Sequence, residues 1–318
     1  MGTNAVHPHL TSVLNAAQLP ALPHSAIELL KISQNPASGP REFARPIEAD
    51  PGLMGQVLRF VNSSYFGFAR QIANVSQALT LVGVRPITNF ALWSAVFSLI
   101  PNPNFGSFNL RELWQDSLRR AIFARRLAKR LQLAEAEDLF AAALLQDMAI
   151  PLLLKELPEG YQELLNRRRC ESQRLSSLER ATFGWDHAEA AAALVRGWNL
   201  PESFATLIER HPDFDTLLAA GPTARAAACV ALASMLPSGS DEEWPEQDAF
   251  RRGLEQLGGG RVPLAELVAE TDAGMEEFAP LLKLPVPRRS LAQWCQAAAS
   301  PVFASIAAGT AQPTAAPG

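Results

Sequence analysis

EAEDLFAAALLQDMAIPLLLKEL, residues 135–157, decides the fold class. Apolar residues run through it almost without a break, interrupted by one polar pair, Gln146-Asp147. A helix that is apolar on all sides has no face for water and must be enclosed by other elements. The residues around it supply helices for that shell. A long helix is expected from about Leu110 to Leu131. PNPNFGSFN (101–109) sets it off from what precedes, being rich in Pro and Asn with no periodic apolar pattern. Further back, Asp50-Pro51 starts a helix that ends near Asn62: Asp caps free N–H groups and Pro fits the first turn. Gly83 sits where a C-cap belongs, and Pro86 opens a helix that stops before Pro101. A short helix is expected at 25–34. Downstream, helices are expected at 160–170, 175–183, 187–197, 202–211 and 222–236. SGSDEEWPEQD (238–248) reads as a polar linker, with two or three helices between it and residue 308.

The composition agrees with an all-α chain. Ala and Leu dominate, and only two Tyr are present among 318 residues. Hydrophobic residues make up 48% and charged residues 19%, enough apolar material for a core. A formal net charge of -4 gives no general attraction to nucleic acid or to an anionic membrane. Three scattered cysteines without a CxxC pair read as reduced thiols. The N-terminus lacks the basic and apolar regions of a signal peptide, Val6 stands where a myristoylation motif wants Ser or Thr, and no apolar run is long enough to span a bilayer. A cytoplasmic protein is expected, with residues 1–14 and 309–318 disordered. There is no P-loop, no GxGxxG after a strand and no GxSxG.

Several blocks resemble the HDOD family, a degenerate branch of the HD metallohydrolase superfamily. They are IEADPGLMGQVLRFVNSSYFG (47–67), ALTLVGVRPITNFAL (78–92), WQDSLRRAIFARRLA (114–128), AAALLQDMAIPLLL (141–154) and HAEAAAALVRGWNLPESFATLIERH (187–211). The resemblance spans most of 19–236, and the order and spacing of the blocks carry it. It implies an HDOD domain over 15–236, with an N-terminal helical lobe (15–100) beside an HD-like helical core (110–236). A helical C-terminal extension (237–308) would follow. It also implies bacterial signal transduction through a protein partner of a pathway or a nucleotide-like ligand, with no cofactor.

HD hydrolases hold a divalent metal with two His and two Asp on separate helices, and the metal makes a nucleophilic hydroxide. By the same resemblance the first His position is Asp116, the His of the doublet is Gln146, its Asp survives as Asp147, and the last Asp corresponds to Ser234. Neutral Gln and Ser are poor ligands, so neither metal nor catalysis is expected. The competing reading is a divergent phosphohydrolase using Asp116, Asp147, His187 and His211.

The remaining candidates each carry a plainer explanation. Asp147, between apolar stretches, must be paired or hydrogen-bonded, either as a helix-to-helix contact or as a ligand contact. Asp186 is explained as an N-cap, and His187 as a core or cap histidine. His211 matches the second His of a family pair whose first place holds Arg210. Arg119, Arg126 and Arg130 share one helical stripe, and Arg167, Arg168 and Arg169 are consecutive; each is an anion site or a solvated face. Tyr65, Phe66 and Phe68 are a partner anchor or a core plug.

Overall fold

The protein is described by a computed structural model covering residues 7–17, 21–33, 35, 37–63, 66–103, 105–106, 108–171 and 173–297. Among the described residues there are helices and turns and no strand. The chain begins with α1 (Pro8–Ala16), α2 (His24–Ser33), α3 (Pro40–Glu48), α4 (Pro51–Val61), α5 (Val75–Val82) and α6 (Val84–Leu99). The central part holds α7 (Leu110–Arg130), α8 (Ala136–Leu145), α9 (Ile150–Glu156), α10 (Pro158–Glu171), α11 (Leu175–Phe183), α12 (His187–Gly197) and α13 (Glu202–Glu209). Then come α14 (Phe214–Ala219), α15 (Arg225–Ala233), α16 (Gln247–Gly258), α17 (Leu264–Leu281) and α18 (Leu291–Ala297).

Helices α2 to α6 pack mainly on one another. Asp50 caps α4 through Leu53 N–H at 3.0 Å and accepts from Ser25 Oγ at 3.1 Å, tying α2 to α4. Asn62 ends α4 and clips the following loop: its amide donates to Ile72 O at 2.8 Å and its carbonyl accepts from Ile72 N–H at 2.7 Å. Phe66 packs edge-on against buried Phe60, ring centroids 5.1 Å apart, while Phe68 stacks on Phe66 and is 38% exposed. Tyr65 lies outside the described residues.

Helix α7 is the axis of the rest. Asn109 caps it by accepting from Arg111 N–H at 3.0 Å, and the helix packs on α8, α15 and α17. Contact with α17 is close at Gly274, where an added Cβ would lie 2.8 Å from Ile122 Cγ2. Arg130 donates to Glu266 and Glu270 of α17 at 2.9 and 2.7 Å. Thus the extension expected after residue 237 is laid against the axis of the helical core.

Three local expectations are corrected. Residues 8–14 are helical rather than disordered, because Leu10 and Val13 are buried, and α1 packs on α9 and α12. The apolar run 135–157 is two helices. Pro151 has no N–H to give the carbonyl of Asp147 and its ring crowds that carbonyl, so the chain turns at 146–149 and restarts with Pro151 in the first turn of α9. Helix α3, in a stretch for which no element was expected, carries Pro46 inside it. The three cysteines are free, with Cys229 buried. The tail 309–318 lies outside the described residues.

Candidate functional site

The break between α8 and α9 puts Gln146 and Asp147 at a helix end instead of in mid-helix. Asp116 and Arg120 stand one turn apart on α7. His187 is the first residue of α12, placed there by the Asp186 cap, which accepts from Ala188 and Glu189 N–H at 3.0 Å each. His211 follows the end of α13, and Ser234 ends α15. Asp116, Gln146, Asp147, His187, His211 and Ser234 all line one cavity of about 880 Å³. All six are buried.

Arg120 donates to Asp147 Oδ2 in a tight ion pair, with the two side chains 11% and 5% exposed. The other oxygen, Oδ1, lies 3.4 Å from His187 Nε2 and 3.7 Å from His211 Nε2. The two Nε2 atoms are 3.2 Å apart. His187 Nδ1 meets Glu179 Oε2 at 2.6 Å, and Glu179 also accepts from Tyr161 Oη and from His187 N–H. His211 Nδ1 faces the carbonyl of Ile208 at 2.7 Å.

These partners assign the protons. A carbonyl only accepts, so His211 Nδ1 carries hydrogen and its Nε2 is left as an acceptor for His187 Nε2–H. His187 donates at both nitrogens and is an imidazolium. Burial opposes that charge, but the Glu179 carboxylate and the hydrogen bonds to Asp147 and Glu179 outweigh it and raise the His187 pKa to about 10. Burial, then the charge of His187, pushes His211 down to about 3. Burial alone would raise Asp147; the charge of Arg120 and the hydrogen bond and charge of His187 hold it well below the carboxylate range instead.

Asp116 is turned to a different task. Its carboxylate accepts from Ser238 Oγ and from Gly239 N–H, the latter at 2.9 Å. Burial raises its pKa against the opposing charges of Arg120 and Arg119. Ser234 Oγ accepts from Arg174 at 2.6 Å and lies 3.1 Å from the carbonyl of His211. Gln146 Nε2 lies 3.4 Å from Asp147 Oδ2, and its Oε1 is buried with no hydrogen-bond partner.

Arg119 and Asp186 stand apart from the cavity. Arg119 is 1% exposed and donates to the carbonyls of Pro237 and Arg289 at 3.2 and 3.1 Å, so it is neither a cavity residue nor part of a solvated face. Asp186 is occupied as a cap and paired with Arg180 at 2.7 Å. Sequence reasoning missed Arg120, Tyr161 and Glu179. Only Arg120 left a trace, as a cation four residues beyond Asp116; Glu179 reaches His187 across the α11–α12 corner, at a spacing no periodicity marks. The linker 238–248 was also missed as a wall of the cavity.

Asp147, His187 and His211 are the described group that could hold a metal ion, with one ligand atom each, all within 4.8 Å of one another. Their separations of 3.2, 3.4 and 3.7 Å are close to the roughly 3.4 Å between ligands about 2.1 Å from a tetrahedral ion. The four positions inherited by resemblance do not fit an ion: Asp116 is engaged by the linker, and Gln146 and Ser234 are neutral.

An all-helical shell thus brings carboxylates and histidines together on one polar cavity. The profile of the HDOD domain matches residues 19–214, and the chain belongs to that family. An uncharacterised protein of Treponema pallidum (strain Nichols) is 26% identical over 194 residues, 61% of this chain but 37% of that protein, so the chain spans little more than a third of its length. An HDOD domain protein of unknown function from Geobacter sulfurreducens superposes with TM-score 0.65 at 22% identity, over 87% of this chain and 98% of its own. A candidate phosphohydrolase from Shewanella amazonensis SB2B gives 0.66 at 21%, over 88% and 99%. A candidate signal transduction protein from Marinobacter aquaeolei VT8 gives 0.65 at 20%, over 88% and 67%. These likenesses establish the fold. Among the described residues no helix is long and apolar enough to cross a membrane.

Proposed function

We propose that this protein is a signal-transduction module that acts by binding, to a small ligand or a protein partner, and does not turn over a phosphate ester. The observation that carries the reading is Arg120 on Asp147. The one carboxylate kept from the ancestral ligand set already has a cation against it. The carboxylates of Asp147 and Glu179 face the Arg120 guanidinium and the His187 imidazolium, so the cluster is balanced by its own side chains. A divalent ion on Oδ1 would share the Asp147 carboxylate with the Arg120 cation on Oδ2, and would have to take a proton from His187.

One observation favours a second reading. The spacing of Asp147, His187 and His211, with each Nδ1 held by Glu179 or the Ile208 carbonyl, is how metal-binding histidines are oriented. An ion held there would supply Lewis acidity and a bound hydroxide. Elemental analysis of protein purified without chelator, joined to assays of phosphomonoesters and phosphodiesters, separates the two. The binding reading expects substoichiometric Fe, Mn, Ni and Zn and no turnover. Stoichiometric metal with turnover that Asp147→Ala abolishes, in a variant whose helical circular dichroism is intact, would overturn it.

A further inference from the structure

PSGSDEEWPE, residues 237–246, forms one wall of the cavity along its whole length. It is fastened at three points. Ser238 and Gly239 are held by Asp116. Asp241 receives Arg168 in a two-pronged pair, at 2.5 and 2.9 Å. Glu246 receives Arg174 Nε at 3.1 Å. Arg168 and Arg174 themselves line the cavity, as does Arg120 with its own carboxylate, Asp147. Thus each of these three guanidinium groups of the cavity already grips a carboxylate of the same chain, two of them from a single acidic segment.

The two-pronged geometry of Arg168 on Asp241 is the geometry a guanidinium makes with a phosphate. The cavity falls in the size range of small-molecule sites, roughly 300–1,000 Å³. It also keeps an unmet requirement: Gln146, fully buried on its lining, has an acceptor oxygen with no donor. A guest that replaces Asp241 and Glu246 must bring at least two negative charges, and one that satisfies Gln146 must bring a hydroxyl or amine.

We infer that the cavity is a site for a small phosphate-bearing molecule, and that the 237–246 strap is a built-in competitor whose carboxylates hold the site in its unliganded form. Binding transfers Arg168 and Arg174 from strap to guest, and the strap is released. The strap leads directly into α16, and Trp244 ties the two: its Nε1–H donates to Met235 O at 2.8 Å while its ring lies 5.1 Å from that of Phe250 on α16. Release is therefore felt by the C-terminal helices. This inference rests on the binding reading above and gives it a ligand class and an output.

The test uses the full chain, stripped with chelator, and inorganic pyrophosphate as the probe, by calorimetry at low salt. Asp241→Asn keeps the shape of the side chain but loosens its hold on Arg168; it should bind pyrophosphate about tenfold or more tighter than wild type. Glu242→Gln removes the same charge from the same strap at an exposed position that holds no arginine, and should change affinity far less. Arg168→Gln should abolish binding. Glu246→Gln is a second route to the same gain should Asp241→Asn melt early. Hydrogen exchange gives the other readout: the amides of Ser238 and Gly239, which bond Asp241 and Asp116, should exchange faster with pyrophosphate bound. Equal gains from Asp241→Asn and Glu242→Gln would overturn the inference, as would undiminished binding by Arg168→Gln, unchanged exchange in the strap, or no binding by any of the proteins. A metal found by elemental analysis counts against the non-catalytic reading, whereas the strap is judged by the pyrophosphate and exchange measurements on the chelator-stripped chain.

Discussion

Arg120→Met removes a charge while keeping most of a side chain's bulk, and the structure sets the size of its effect. Asp147 is 5% exposed, so losing Arg120 leaves a carboxylate with little water, Gln146 Nε2 at 3.4 Å and the two histidines. Breaking a buried pair by deleting one partner costs about 3–5 kcal/mol. The nearby imidazolium of His187 puts this case at the low end, about 3 kcal/mol. For a chain of this size that is a fall in melting temperature of roughly 4–5 °C. Adding Asp147→Asn to Arg120→Met should recover more than half of the loss, since the charge left stranded is then gone. A second measurement bears on function. With the guanidinium absent, no cation on the same carboxylate repels a divalent ion at Asp147, His187 and His211, and Zn or Ni at a hundred times its dissociation constant adds about 2.7 kcal/mol. Thermal denaturation near neutral pH, with and without metal, should show rescue of Arg120→Met and no shift in wild type. A loss under about 1 kcal/mol for the single variant, no recovery in the double variant, or equal metal stabilisation of wild type would refute the view of Arg120 as the counter-ion of this site.

His187, raised from 6.5 to about 10, contributes fully below pH 6.5 and loses that contribution as pH climbs towards 10; His211, lowered from 6.5 to about 3, contributes fully above pH 6.5 and loses it as pH falls towards 3. Stability measured by denaturant titration should therefore fall on both sides of neutrality, and His187→Gln should flatten the alkaline side. Phe66→Ser, which bares Phe60, should destabilise by about 2–3 kcal/mol and Phe68→Ser by under about 1 kcal/mol; a small loss for Phe66→Ser in urea unfolding would favour the partner-anchor reading of that ring over the core plug. Gly274→Ala should cost about 1–2 kcal/mol against Ile122 despite its gain in helix propensity, and combining it with Ile122→Ala should lose less than the sum of the two single losses.

The helices were legible where one residue type dictates local geometry. Asp50-Pro51, Gly83 and the Asp186 cap mark ends that the structure keeps, because capping and turn chemistry act over three or four residues. The same locality hid other elements: α3, with Pro46 inside it, was not expected, and Pro151 was not read as the break it makes. In the site, the alignment of blocks brought Asp116, Gln146, Asp147, His187, His211 and Ser234 onto one cavity. What it could not show was which groups answer them. Arg120, Glu179 and Arg168 are chosen by the packing of α7, α11 and α10 around the cavity, and the strap reaches Asp116 from more than a hundred residues away. Arg119 shows the converse: on paper a surface stripe, in space a buried donor to two loop carbonyls.

The family match ends at residue 214, yet α15 and α17 lie against α7 well beyond it. Inheritance and self-sufficiency therefore have different lengths here. A fragment cut at residue 214 would strip two neighbours from the axial helix, leaving Ile122 and its apolar surroundings bare and Arg130 without Glu266 and Glu270. Such a piece should be sticky and short-lived in a cell. A fusion or rearrangement that transplants this domain should carry the chain through α17 to keep the axial helix covered.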